Sequence, residues 1–500
     1  MAYSKVRSSK SVFIGVPASA PPECGPEYKI KALRLQARGL LFFPKEKDTP
    51  SERQGISGKG ILQELLEPIG VLGYGLEGAS TSRFLLEKGY RDILVFDRKQ
   101  PQALHQGLHY AGARDYLSGL SSVKTLFRSA GIRPDLPEIT EFIKQGGILT
   151  SQTELAVSLA GRGRVVGVTG TLGKGTCCSI LYAMLMEAGI PCRLGGNIGI
   201  PALDEAAALS EGELLLLELS SFQLSTFSES PASAIVLRTT SEHLDWHRSQ
   251  QEYWLHKSRL VSGQEKNDLL VYCADAAGSV WIAERSPARK IAYGVNAPVR
   301  IDKSAVHWPA HGFSLPLADT QLTGAFNLEN LAAAGTAALE MGAKPAAIAV
   351  AAAAFRGLEH RLEFVRAVHG VRFYNDSYAT RPEAVMGAVD ALGSAPLGLI
   401  LGGSEKHADF SELTACIMSA PQMRAIALIG QTAERLHAEL RAAGFGPALR
   451  VCRSLEDALA YLISEISTGA IALSPACASF GMFENYKERG KAFKRLVESI

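Results

Sequence analysis

One stretch constrains the fold more than any other. Val165-Val166-Gly167-Val168-Thr169 runs into Gly170-Thr171-Leu172-Gly173-Lys174-Gly175-Thr176 and on into Ser179-Ile180-Leu181-Tyr182-Ala183-Met184-Leu185. The β-branched apolar run reads as a buried strand, the later apolar segment as a helix, and the glycines between them as a tight turn. In that order the backbone N–H groups and the positive end of the helix dipole converge on one spot, which suits a nucleoside triphosphate. Lys174 stands where it reaches the β- and γ-phosphates. The G-x-x-x-x-G-K-[ST] pattern is incomplete, with Val168 at its first glycine and Gly175 at its hydroxyl. The competing reading is a purely structural glycine turn.

A second glycine-rich turn lies upstream. Ile69-Gly70-Val71-Leu72-Gly73-Tyr74-Gly75-Leu76-Glu77-Gly78-Ala79-Ser80 reads as strand, G-x-G-x-x-G and helix, and Ile93-Leu94-Val95-Phe96 is a second strand ending in Asp97. By itself this is a dinucleotide fingerprint, with turn glycines for a pyrophosphate and an acid for a ribose hydroxyl. A structural tight turn stays open as the alternative. The unit ends near residue 155, short for a nicotinamide fold of two halves and better suited to one nucleotide.

Further strands follow the phosphate turn, and each ends in polar residues. Leu214-Leu215-Leu216-Leu217 leads into Glu218-Leu219-Ser220-Ser221-Phe222-Gln223, and Ala234-Ile235-Val236-Leu237 leads to Thr239-Thr240-Ser241-Glu242-His243-Leu244-Asp245. Carboxyl ends of neighbouring parallel strands line one crevice, so Glu218 and His243 are expected to meet beside the phosphate turn, where both can ligate Mg²⁺ or order its waters. The blander reading makes Glu218 a helix cap and His243 a surface loop residue. His243 and His247 have i, i+4 spacing, but the acid precedes the first histidine, so the zinc-protease pattern is absent. Lys257, in Tyr253-Trp254-Leu255-His256-Lys257, reads as an exposed helix lysine.

Composition narrows the class. A chain of 500 residues is expected to form two to four domains. A net charge of +2 offers no electrostatic support for a nucleic-acid partner. The eight cysteines, at 24, 177, 178, 192, 273, 416, 452 and 477, form no CxxC pair and read as reduced, cytosolic thiols. No apolar run approaches the roughly 18 residues of a membrane helix, and the alanine-rich 331–355 stretch, broken by Glu340, Gly342, Lys344 and Pro345, reads as soluble helices. Residues 1–59 show no sustained period and no apolar core of a signal peptide, so a loosely ordered extension is expected there.

Taken together, the ordered blocks resemble the Mur ligases, the ATP-dependent family that builds the peptide stem of the bacterial cell wall. The likeness spans roughly 69–495 and adds Ser129-Ala130-Gly131-Ile132, Gly195-Gly196-Asn197-Ile198-Gly199, His360-Arg361, Asn375-Asp376-Ser377, Leu401-Gly402-Gly403 and Ser474-Pro475-Ala476-Cys477-Ala478-Ser479 to the motifs above. The last block and Glu218-Leu219-Ser220-Ser221-Phe222-Gln223 are most similar to the member that joins D-glutamate to UDP-N-acetylmuramoyl-L-alanine. The resemblance implies three α/β domains: 60–155, Rossmann-like, for the UDP-substrate; 156–357, a parallel-sheet ATPase; and 358–500, Rossmann-like, for the amino acid. It implies active-site clefts between them, a cytoplasmic monomer and no membrane insertion.

The implied reaction converts the alanyl carboxylate to an acyl phosphate with ATP, and the D-glutamate amine then displaces phosphate through a tetrahedral intermediate. Lys174, Glu218, His243 and Lys257 are the implied catalytic set. ATP falls to Gly170, Thr171, Leu172, Gly173, Lys174, Gly175, Thr176, Asn327, Asn330, Arg361 and Asp376. Mg²⁺ falls to Thr176, Glu218, His243 and Lys257, the last as a carbamate, because a bare ammonium would be repelled by the ion. The UDP-substrate falls to Gly75, Leu76, Glu77, Asp97, Ser129, Gly131, Asn197, Ser220 and Gln223. D-glutamate falls to Thr380, Lys406, Ser479 and Tyr486, a cation and hydroxyls suited to two carboxylates.

Departures from the family pattern keep other readings in view. Leu172 stands for the usual Asn, Phe326 for His, and Tyr378 for Lys, so a cation is lost near the amino-acid side that Arg381 or Lys406 could replace. Gly175-Thr176 is similar to the loop of folylpolyglutamate synthase, which makes Thr176 the choice for the magnesium hydroxyl; that relative lacks the UDP-type first domain. Another Mur ligase, a non-catalytic nucleotide-binding relative and a nicotinamide oxidoreductase with an added ATPase domain are the remaining alternatives.

Overall fold

The computed structural model describes residues 65–500 apart from Gln102, Ala113, Arg114, Asp245, Thr323, Ala325, Lys406 and His407. The extension expected over 1–59 therefore lies outside the described residues. Three sheets follow one another along the chain, all within the compact unit Ile56–Ile500.

The first sheet has five parallel strands in the spatial order Leu108–Tyr110, Ile93–Phe96, Ile69–Leu72, Thr125–Arg128, Ile148–Thr150. The order reverses between Ile69–Leu72 and Thr125–Arg128, which opens a crevice beyond those two strand ends of the kind in which open α/β sheets bind ligands. The helix Leu76–Glu87 starts there, and Gly78 lets it pack closely: a Cβ at 78 would sit 2.1 Å from the Gly73 carbonyl oxygen.

The central sheet has nine strands. Cys192–Gly196, Leu214–Glu218, Val165–Thr169, Ser233–Val236, Leu269–Cys273, Arg289–Gly294 and Val299–Ile301 are parallel, and Ala305–Trp308 and Phe313–Pro316 close the edge antiparallel. Val165–Thr169 is buried at all five positions, as its unbroken apolar pattern demands. The helices Lys174–Glu187, Phe326–Glu340 and Pro345–Ala354 cover one face; the alanine-rich stretch breaks where Glu340, Gly342 and Pro345 predict.

The third sheet pairs Glu363–Val368 antiparallel with Val371–Asn375 and continues parallel through Gly469–Leu473, Leu397–Leu401, Met423–Leu428 and Ala448–Val451. Core packing divides unevenly. Leu155, Ala156 and Val157 share one hydrophobic cluster with Leu203, Ala206 and Leu217, so the first and central sheets are joined by a common core. The third sheet carries its own clusters on its two faces and meets the central sheet through polar groups, including Arg381 with Glu242 and His243.

Candidate active site

The phosphate turn is built as a charged cradle. Gly173 takes a left-handed backbone (φ 84°) as the cap of the helix Lys174–Glu187, and the Lys174 ammonium folds back to donate to the carbonyls of Gly170 (3.1 Å) and Thr171 (2.8 Å). Burial lowers the Lys174 pKa, and the charges of Glu218 and Glu242 oppose that shift. Asn330 packs against Gly173 and donates to Asn327 at 3.0 Å, which brings both asparagines to the turn. Leu172 and Phe326 are exposed, and Thr176 is half-buried on the first turn of the helix.

The residue in the hydroxyl position, Gly175, has a physical reason to be glycine. A Cβ there would lie 2.9 Å from Glu218 Oε2 and 3.1 Å from an Arg361 guanidinium nitrogen. The vacancy admits a carboxylate from the central sheet and a guanidinium from the third-sheet unit to the same spot. Glu218, last residue of its strand and 2% exposed, accepts from Asn197 Nδ2 through Oε1 at 2.9 Å. Its Oε2 is buried with no hydrogen-bond partner. A buried carboxylate oxygen without a donor, beside a phosphate turn, fits a hard divalent cation.

Lys257 is not the exposed helix lysine its local sequence suggests. Ser249 caps the helix Gln250–Ser258 by accepting from the Glu252 N–H, and the helix drives Lys257 inward to 1% exposure. Its Nζ donates to Thr169 Oγ1 (3.1 Å) and to the Gly170 carbonyl (2.8 Å), directly beneath the phosphate turn. Burial, with repulsion from Lys174 second, holds its pKa well below the ordinary lysine value. Both effects disfavour the ammonium relative to the neutral amine.

His243 lies in the loop after the strand Ser233–Val236. The His243 backbone is left-handed (φ 57°), its ring lies 4.7 Å from the Phe222 ring, and its Nδ1 and Nε2 face Arg381 (3.0 Å) and Glu242 (3.5 Å). Arg381 is thus spent on the central loop. Among the described residues, Arg361 places its guanidinium 4.0 Å above the Tyr378 ring.

A cavity of about 810 Å³ opens at the reversal point of the first sheet. All nine positions assigned to the UDP-substrate line it: Gly75, Leu76, Glu77, Asp97, Ser129, Gly131, Asn197, Ser220 and Gln223. Asp97 accepts from the Tyr74 N–H at 2.8 Å, and Glu77 accepts from Gln223 Nε2 at 2.7 Å across the two sheets. Sequence reasoning passed over Arg98, Tyr116, Arg133, Phe222 and Trp246, which line it too. Arg98 follows Asp97 at the same strand end and was legible; Arg133 and Trp246 come from separate loops joined by a cation–π contact at 4.9 Å.

On the third sheet, Tyr486 stands edge-on to Tyr378 at 5.1 Å, and the Thr380 N–H donates to the Tyr378 carbonyl at 2.8 Å. Ser479 is buried at the end of the segment after Gly469–Leu473, and Lys406 lies outside the described residues. Asp376 accepts from Ser474 Oγ (2.6 Å) and from the Leu362 N–H (3.0 Å), yet burial pushes its pKa up to about 7. An unfolded aspartate titrates near 3.9, so the folded chain holds this proton more tightly, and the associated stability is lost as pH rises from about 4 to about 7, where the loss levels off. Without ligands, the wild-type melting temperature is expected to fall relative to that of Asp376→Asn between pH 5 and pH 7 and to run parallel to it above; parallel curves throughout would show an ordinary carboxylate.

Comparison with known proteins agrees with this architecture. The family description "Mur ligase middle domain" matches residues 168–338, and "Mur ligase, glutamate ligase domain" matches 360–476. The UDP-N-acetylmuramoylalanine–D-glutamate ligase of Symbiobacterium thermophilum is 32% identical over 87% of this chain and 99% of its own length. The ligase of the same name from Acetivibrio thermocellus is 33% identical over 86% of this chain and 96% of its own. Among solved structures, the UDP-N-acetylmuramate-alanine ligase MurC of Thermotoga maritima shares the fold with a TM-score of 0.55 at 15% identity, covering 86% of this chain and 99% of that one. The chain belongs to the Mur ligase family. Within it, the relatives of highest similarity named here are D-glutamate ligases. No helix among the described residues is long and apolar enough to cross a membrane.

Proposed function

We propose that this Mur ligase joins D-glutamate to UDP-N-acetylmuramoyl-L-alanine at the expense of ATP, as a cytoplasmic monomer supplying peptidoglycan synthesis. The first-sheet unit takes the UDP-substrate, the central unit ATP and the third-sheet unit D-glutamate. One observation carries the reading: Asn197, at the cavity wall, is hydrogen-bonded to the same Glu218 carboxylate that faces Gly175 and Arg361 in the phosphate turn. A substrate bound by its nucleotide in the cavity can therefore extend its acyl end to the γ-phosphate.

The alanyl carboxylate oxygen attacks the γ-phosphorus, the bond to the β,γ-bridging oxygen breaks, and ADP leaves. The D-glutamate amine then attacks the acyl carbon and loses a proton, and the carbon–oxygen bond to phosphate breaks. Lys174 and the turn amides hold the transferring phosphoryl group, while Arg361 adds positive charge from the third-sheet unit. Glu218, Thr176, His243 and a carbamylated Lys257 are the groups suited to hold Mg²⁺. That ion supplies charge neutralisation of the phosphoryl oxygens. Thr380, Lys406, Ser479 and Tyr486 orient the amino acid so that its amine meets the acyl carbon, a gain of positioning.

The test is phosphate release in the presence of ATP, UDP-N-acetylmuramoyl-L-alanine and D-glutamate, with each omitted in turn. Release is expected only with all three. Turnover with another amino acid, or with a folate in place of the UDP-substrate, would overturn the reading.

A further inference from the structure

Arg128 is buried to 2% exposure at the end of the strand Thr125–Arg128, and no role in the reaction has been given to it. Its Nη1 donates to the carbonyls of Ser129 (3.2 Å), Ala130 (3.3 Å) and Ile132. Its Nη2 donates to Ser225 Oγ (2.8 Å), Thr226 Oγ1 (3.2 Å) and the Phe222 carbonyl (3.3 Å). The first set belongs to the loop after a first-sheet strand, the second to a turn of the central unit. Ser129, Ala130, Ile132 and Phe222 all line the cavity. One planar group with a fixed fork of donors thus grips both walls at once, a task that suits guanidinium and not ammonium.

We infer that Arg128 is a positioning residue for the UDP-linked substrate, holding the two cavity walls in register and presenting the Ser129–Arg133 loop to the ligand's anionic part. In a trans peptide the N–H points opposite to its carbonyl. Drawing the carbonyls of Ser129, Ala130 and Ile132 onto Arg128 turns the N–H groups of Ala130, Gly131 and Arg133 away from it, at residues that line the cavity. Successive N–H groups arranged this way favour an anion such as a diphosphate. The guanidinium contacts are carbonyls and hydroxyls; Glu154 and Glu77 balance its charge from a distance, and Glu77 itself stands in the cavity wall.

The inference rests on the reading of the cavity as the UDP-substrate site, and the experiment separates the two. Binding of UDP-N-acetylmuramoyl-L-alanine and of ATP is measured by calorimetry, with KM and kcat, for wild type, Arg128→Met, Arg128→Lys and the double variant Ser225→Ala/Thr226→Val. Arg128→Met is expected to weaken the UDP-substrate about tenfold or more, in KM as in Kd, with ATP affinity and saturated kcat within about threefold of wild type. Arg128→Lys should fall between, because it keeps the charge but not the fork. The double variant frees one wall without emptying the core, and is expected to weaken the UDP-substrate severalfold while still folding, with a melting temperature lowered by a few degrees; it decides the matter if Arg128→Met does not fold. Unchanged UDP-substrate affinity in the double variant and in Arg128→Lys, or an equal loss of ATP affinity, would overturn the role of Arg128. A wild-type protein that binds ATP but not the UDP-substrate would overturn the cavity assignment, and this inference with it.

Discussion

Lys174→Ala is expected to lower turnover by on the order of 10³ or more while leaving the Kd for UDP-N-acetylmuramoyl-L-alanine within about threefold of wild type. The Lys174 ammonium is held by the carbonyls of its own turn, Gly170 and Thr171, so it is pre-organised over the place where phosphoryl charge develops. An interaction of that kind acts on the transition state and shows in kcat. The cavity lined by Gly75, Asp97 and Ser129 is built from other loops and shares no residue with the phosphate turn. Phosphate release and calorimetry on the same preparation check both halves. Equal loss of turnover and of UDP-substrate affinity would show that the two sites are not separable, or that the variant is misfolded.

Lys257→Ala is expected to be inactive and to regain part of its activity with added formate or acetate. The amine sits buried 2.8 Å from the Gly170 carbonyl, and burial and Lys174 both lower its pKa, which favours the neutral amine that attacks carbon dioxide. The nitrogen–carbon bond forms, a proton leaves the nitrogen for solvent, and the product is an anion. That anion reverses the charge at a point that also faces Lys174. A small carboxylate can enter the space vacated in the alanine variant, but it must pay the positional entropy that the tethered group has already lost, so rescue stays partial. Lys257→Arg should resist rescue, since its side chain fills the space and stays cationic. Equal rates for wild type and Lys257→Ala without additive would reduce Lys257 to a structural lysine.

The phosphate turn was legible because its chemistry is local: glycines, lysine and a preceding apolar strand act within a dozen residues. The nine cavity positions were implied by the family resemblance and not by local pattern; in the structure they follow strand ends, and parallel strands deliver their carboxyl ends to one crevice. Gly175, which breaks the expected motif, lies where Glu218 and Arg361 converge.

What the chain did not disclose by itself were the states of those groups. Nothing local distinguishes Lys257 from a surface lysine; its burial arises because the capped helix Gln250–Ser258 lies against Thr169 and Gly170, almost ninety residues earlier. The pairing of Glu218 with Asn197, the entry of Arg361 over Gly175, and the grip of Arg128 on Ser225 and Thr226 likewise join segments far apart in sequence. Motif chemistry depends on residue type and short spacing, which the linear order of amino acids carries directly. Burial, the protonation it imposes and the partner of each buried charge depend on which distant surfaces exclude water together, and that is settled only when the sheets have packed.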